Sequence, residues 1–271
     1  VSDHLDVDGS KAPLLEHLVE LRTRLGYSLA SVLVLFFVSY YFAPAIYNFL
    51  VQPLADILHT MGGNRRLIFT ALHEAFFTYV KVAFFSALFF SFPFIAMQFW
   101  LFVAPGLYKK EKRAMLPFLV ATPILFFMGG SLVYYYIFPL AWHFFLGFES
   151  VGGPNSLPIQ LEPKVDEYLS LVMRLIFAFG LCFELPVLMT LLGRVGMVTA
   201  DGMRKRRRYA VVLAFVAAAV LTPPDVISQI GLALPTILLY EISILSVAFV
   251  ERGRKKEAEE GSEDEDDNLD T

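Results

Sequence analysis

The 271-residue sequence holds a single cysteine, Cys182, so an intramolecular disulfide, a Cys-rich metal site and a CxxC redox pair are all excluded. Apolar neighbours make that thiol read as buried and inert. The five histidines are scattered with no HExxH or comparable ligand spacing, and neither a metal nor a cofactor is expected. GxSxG, membrane aspartates paired in a protease context and a nucleotide loop are all missing, which argues against an intramembrane enzyme. No internal repeat is visible, which weighs against an inverted-repeat transporter. Bases are absent from the last fifteen residues, 257–271, which carry nine acids. The formal net charge of −4 therefore describes the tail. The rest of the chain is net basic, and the charge balance points to no nucleic-acid partner.

Apolar residues dominate what is there. They make up 56% of the chain and include 27 phenylalanines, against about 45–50% apolar in a typical soluble domain. They gather into long blocks, as a lipid-embedded chain requires. The first, 25–47, is too long for the roughly 7–15-residue core of a signal peptide and is followed by further spans, so it reads as helix 1. A loop over 48–73 carries Pro53, Gly62-Gly63 and Arg65-Arg66. Helix 2 is expected over 74–103, with Pro93 inside; Pro105-Gly106 closes it and a basic turn follows at 109–113. Helix 3 is expected over 115–138, ended by Pro139. A Gly- and Pro-rich loop over 140–165 leads to helix 4, 166–192. A basic connection, 194–208, leads to block 5, 209–221. Thr222-Pro223-Pro224-Asp225 breaks the chain before block 6, 227–250, which contains Pro235. Block 5 is short: thirteen residues reach about 20 Å, against a hydrocarbon core of about 30 Å. Blocks 5 and 6 read as a short hairpin across a locally thinned bilayer.

Orientation follows from Lys and Arg. The N-terminus, the 2–3 turn, the 4–5 connection and the C-terminus hold 17 of the 22 bases; the other loops hold Arg65, Arg66 and Lys164. Both termini are therefore expected in the cytoplasm. Lys81 and Arg174 fall within helices, nearer the outer ends, where they can snorkel. The division is a cytoplasmic amphipathic segment at 1–24, a six-helix transmembrane domain at 25–250, and an acidic, disordered cytoplasmic tail at 251–271.

Several polar residues stand out. Leu14, Leu18, Leu21 and Leu25 form one helical stripe, and Glu16, Glu20 and Arg24 form another. This segment reads as an amphipathic helix along the inner leaflet, with Glu20 either a surface ion-pair member or an acceptor for a cationic ligand. Glu111 is an acid among Lys109, Lys110, Lys112 and Arg113, and such neighbours keep a carboxylate ionised. Glu184 lies deep in helix 4, where a charge facing lipid costs several kcal/mol, so it should face protein or a water-filled cavity. Its readings are a structural hydrogen bond, a docking point for another helix, or a proton-coupling carboxylate. Asp225 and Gln229 sit at the outer end of the hairpin, where Asp225 suits a helix cap. Pro53, Pro93 and Pro105 suit kinks and breaks.

Four pieces together resemble the TatC family, the core membrane subunit of the twin-arginine protein translocase: 17–25 (HLVELRTRL), 102–113 (FVAPGLYKKEKR), 179–186 (FGLCFELP) and 221–229 (LTPPDVISQ). The resemblance implies an all-α membrane protein, a concave six-helix bundle with both termini inside. It implies a receptor for signal peptides bearing paired arginines on folded cargo. Such a receptor works in a homo-oligomeric complex with single-span TatA- and TatB-type partners and is driven by the proton-motive force. By matching position, Glu20 and Glu111 would bind the two guanidinium groups, oriented by Arg22 and Arg113, with Phe102 nearby. Glu184 would offer partner helices a polar docking point. Pro53, Asp225 and Gln229 would lie at an external interface. Lys112 stands where the family often has Arg, and Arg174 is unexpected at a membrane position. The alternative function is a proton-coupled secondary transporter of a small solute, with Glu184 as its proton site; the missing repeat and the short hairpin speak against it.

Overall fold

The computed structural model describes residues 7–61, 66–103, 116–150, 152–153, 157–222 and 225–267, with side chains described from residue 17 to 253 outside the immediate edges of those gaps. Among the described residues every regular element is helical, and two isolated bridges, Ile68 with Lys164 and Ser150 with Ile159, stand in for strands. In chain order the helices are α1 (Val7–Tyr41), α2 (Ala43–Met61), α3 (Glu74–Val103), α4 (Leu116–Leu132), a π-helical turn (Val133–Ile137), α5 (Phe138–Leu146), α6 (Val165–Phe183), α7 (Leu185–Arg194), α8 (Ala200–Lys205), α9 (Arg207–Leu221) and α10 (Val226–Asp267). Among the described residues five stretches are long and apolar enough to cross a membrane: His17–Tyr41, Glu74–Phe102, Pro117–Leu146, Val165–Arg194 and Val226–Gly253. The sixth apolar helix is the 15-residue α9, about 22 Å long at 1.5 Å per residue. The chain is a multi-pass membrane protein.

Five stretches differ from the sequence reading. Helix 1 stops at Tyr41 because Pro44 has no N–H to give the carbonyl of residue 40 and its ring crowds it. Residues expected to be loop from Asn48 onward form α2, through Pro53. Leu50, Leu54, Ile57 and Leu58 are buried on one face of it, so burial outweighs the breakers Asn48 and Pro53. Helix 3 does not end at Pro139. The Phe138 N–H reaches back to the Val133 carbonyl, and this wide turn leaves Pro139 in the first turn of α5, where proline is tolerated. Helix 4 is interrupted at Glu184, two residues before Pro186. At the C-terminus the helical backbone continues to Asp267, where the sequence reading has a disordered extension from 251. Residues 254–260 are Arg, Lys, Glu and Ala, good helix formers extending an existing helix and so escaping the nucleation cost.

The chain divides into two compact units, one of residues 1–52, 64–124 and 162–173, the other of 53–63, 125–161 and 174–271. In the first, α1 packs along α3. The buried stripe of α3 is built from small residues, with Thr78, Val82, Ala83, Ser86, Ala87 and Ser91 all buried, which lets helix backbones approach closely in lipid. Most side chains of α1 between residues 17 and 41 are exposed. At the far end of α3, Lys81 pairs with Asp166 at the start of α6 at 2.5 Å. Ile68 and the 163–165 backbone exchange hydrogen bonds beside it.

In the second unit α4 and α6 meet at two glycines. A Cβ on Gly129 would lie 2.6 Å from the Phe179 carbonyl oxygen, and one on Gly180 would lie 2.6 Å from the Phe126 ring. Phe126, Phe138 and Phe179 are fully buried. Gly196, with φ of 82°, ends α7 in the left-handed conformation that glycine adopts freely. The short α8 is then tied to α10. Glu251 accepts from the Ala200 N–H at 3.1 Å, and the Tyr240 hydroxyl donates to the Met203 carbonyl at 2.9 Å.

Candidate functional site

The polar stripe of α1 meets the last two turns of α3. Arg24 reaches Glu20 one turn earlier, Nη2 to Oε1 at 3.3 Å, with each side chain 30% exposed. The same guanidinium donates through Nη1 to Oε1 of Gln98 at 3.4 Å, and Gln98 is buried. Both distances are longer than the usual 2.7–3.2 Å, so Arg24 is held loosely between two acceptors. One turn before Glu20, the His17 ring stacks on Phe102 with centroids 4.3 Å apart and planes at 19°. A carboxylate in such a half-buried place keeps more of its attraction for a cation than one on an open surface. Leu18, Leu21 and Leu25 point outward, leaving the apolar face of this segment on the exterior.

This places Glu20 and Phe102 in one locality. Arg22 is exposed, and the guanidinium beside Glu20 belongs to Arg24. Glu111 and Arg113, at residues 104–115, lie outside the described residues.

Two further groups lie in the second unit. Glu184 occupies the break between α6 and α7, half-buried, with its backbone carbonyl taking the N–H of Leu188 at 2.9 Å. Pro186, buried, follows it. Asp225 is buried and caps α10, its Oδ1 accepting from the Ser228 N–H at 2.6 Å. Gln229, one turn on, donates through Nε2 to the Phe215 carbonyl of α9 at 3.4 Å. Gln229 thus ties the two arms of the hairpin. Pro53 is buried within α2.

The family model described as Sec-independent protein translocase protein (TatC) matches residues 16–235. The chain belongs to the TatC family. A Sec-independent protein translocase protein TatC from Magnetococcus marinus is 51% identical over 269 residues, covering 98% of this chain and 96% of its own length. The TatC protein of Escherichia coli K12 is 40% identical over 246 residues, covering 90% of this chain and 92% of its own. The crystal structure of the twin-arginine translocase receptor TatC is similar with a TM-score of 0.73 and 34% identity, covering 87% of this chain and 99% of that one.

Within the TatC fold, two participants at the Glu20 locality escaped the sequence reading in their roles. Arg24 was visible as the i+4 neighbour of Glu20, a spacing at which Glu followed by a base pairs on a helix. Gln98 gives no signal from spacing, because its partner lies 74 residues away. Its one clue is a polar amide inside an apolar helix, which needs a partner when buried.

Proposed function

We propose that this chain is the receptor for twin-arginine signal peptides and the core subunit of a proton-motive-force-driven translocase that carries folded proteins across the cytoplasmic membrane. The observation that carries the receptor reading is the half-buried Glu20 carboxylate beside Arg24, Gln98 and the His17–Phe102 stack. A guanidinium is always charged and offers a planar fork that fits a carboxylate with two parallel bonds. Two acids suit two arginines: Glu20 takes one, and Glu111, which follows α3 in the sequence, takes the other. Phe102 gives the signal an apolar surface next to Glu20, and Arg22 and Arg113 belong to the same recognition surface, where they meet the approaching segment.

The assembly half of the proposal rests on the second unit. Glu184 sits where the helix is interrupted and is half-buried as a residue, and it serves as a polar docking point for a TatA- or TatB-type single-span helix. Asp225, Gln229 and Pro53 form the face that meets partners or further copies of the chain on the outer side. Both termini lie in the cytoplasm, in keeping with 17 of 22 bases on that side.

The test is a photo-crosslinker at Phe102, used to capture a signal bearing Arg-Arg or Lys-Lys in Glu20→Gln, Glu111→Gln and the double variant. Hydrogen bonds to a charged group contribute about 1.5–3 kcal/mol each, so each single change should cut capture of the Arg-Arg signal roughly ten- to hundredfold. Undiminished capture by the double variant would remove the basis of the receptor reading.

A further inference from the structure

We propose that Arg24 is an intramolecular placeholder for one arginine of the signal, so that docking at Glu20 is an exchange of one guanidinium for another. This rests on the receptor reading above and adds a residue that sets the threshold for binding. Three observations carry it. First, the group now on Glu20 is chemically the same as the incoming one, a guanidinium, and it meets only Oε1. Among the described residues Oε2 has no hydrogen-bond partner, so an entering fork has a foothold before Arg24 leaves. Secondly, Arg24 has a second acceptor. Its Nη1 already reaches Gln98 Oε1 at 3.4 Å, and that amide is 6% exposed, so a displaced Arg24 keeps a partner inside the protein. Thirdly, the bond to Glu20 is long at 3.3 Å and belongs to a partly exposed i,i+4 pair, the class of ion pair that holds least firmly.

The arrangement gives Arg24 two positions, one shared between Glu20 and Gln98 and one on Gln98 alone, and the signal selects the second. An arginine pays back what it displaces, because like replaces like. A lysine offers a point charge in place of a fork and does not recover the displaced bond, so a Lys-Lys signal leaves Glu20 with Arg24. Discrimination thus includes an element that works against the wrong ligand as well as one that favours the right one.

The experiment measures binding of Arg-Arg and Lys-Lys signal peptides to the purified full-length chain in detergent, for wild type, Arg24→Gln, Gln98→Leu, Glu20→Gln and the two double variants that contain Arg24→Gln. Arg24→Gln should tighten the Arg-Arg signal by roughly two- to fivefold, the scale of a partly exposed ion pair. It should also lift Lys-Lys binding above its wild-type level. Gln98→Leu should weaken the Arg-Arg signal by a similar factor, because the displaced guanidinium loses its second acceptor, and this effect should vanish when Arg24→Gln is present. The gain from Arg24→Gln should likewise vanish in the Glu20→Gln background. Weaker binding of both signals to Arg24→Gln would overturn the proposal, since a residue that merely holds Glu20 in place gives that result. An unchanged affinity overturns it as well. If Glu20→Gln by itself leaves Arg-Arg binding intact, the receptor reading fails independently of Arg24.

Discussion

Replacing Gly129 by alanine adds a methyl group at the crossing of α4 and α6, where the added carbon would lie 2.6 Å from the Phe179 carbonyl oxygen and 3.0 Å from the Phe183 ring. Carbon and oxygen rest at about 3.3–3.6 Å even in close C–H···O contacts. The two helices must therefore part by close to an ångström, because the first obstacle is backbone and has no rotamer to adopt. Moving apart also loosens Phe126 on Gly180 and the edge-on contact of Phe126 with Phe177, whose centroids are 5.7 Å apart. Overpacking of this kind costs about 1–3 kcal/mol, and the glycine's own backbone freedom returns only about 0.5–1 kcal/mol on mutation to alanine within a helix. The difference is a net loss of about 1 kcal/mol, and at most about 2.5 kcal/mol, which lowers Tm by roughly 2–4 °C for each kcal/mol in a chain of this size. Gly26 is the control, since nothing lies within 4 Å of its added carbon, and Gly26→Ala should be neutral or slightly stabilising. The assay is thermal unfolding of purified variants in one detergent, followed by loss of the monodisperse peak. If Gly129→Ala melts with Gly26→Ala at or above wild type, the close crossing of α4 and α6 does not hold this unit together.

Other expectations are simpler. Asp225→Ala should lower stability by about 1 kcal/mol through loss of the cap on Ser228, while Asp225→Asn retains most of it; equal melting of both variants would show that the cap contributes little. Glu184→Ala should reduce co-purification of single-span partners while leaving capture of an Arg-Arg signal at Phe102 unchanged, and normal partner recovery with normal export would refute the docking role. Single cysteines near Gly152 and Gly202, in a chain with Cys182→Ala, should label from outside and inside respectively in intact cells and spheroplasts; the opposite pattern would reverse the orientation.

Much of this was legible because apolar length is a strong signal. The span 74–103 coincides with α3, and the hairpin of 209–221 and 227–250 lies within α9 and α10. Proline was where the reading went astray. Pro44 ended a helix that looked continuous, whereas Pro53 and Pro139 sat inside helical stretches that looked broken. A proline removes one hydrogen bond, and whether the helix survives depends on burial and on a neighbouring turn that a linear pattern does not carry. At the site, Glu20 and Arg24 were visible because they lie four residues apart on one element. The bridge to Gln98 was not, because it depends on how α1 is rotated against α3. The capping role of Asp225 was legible from the Thr-Pro-Pro-Asp break, since a short acid before an apolar run is the usual start of a helix.

The five-residue wide turn at Val133–Ile137 works as a phase adjuster. It spends one residue more than an α-helical turn would, and each residue is worth about 100° of rotation. That extra step brings Phe138, Ala141 and Trp142 into register with the inward line of Phe126 and Val133, all of which are buried. Forcing these five residues into regular α-helical geometry would turn the following segment by about 100° and take Trp142 off the inner line, whereas deleting one of them would leave an ordinary α-helical turn and keep that line. The width of this turn therefore matters to the inner face of the helix more than the identity of the exposed tyrosines, Tyr135 and Tyr136, that fill it.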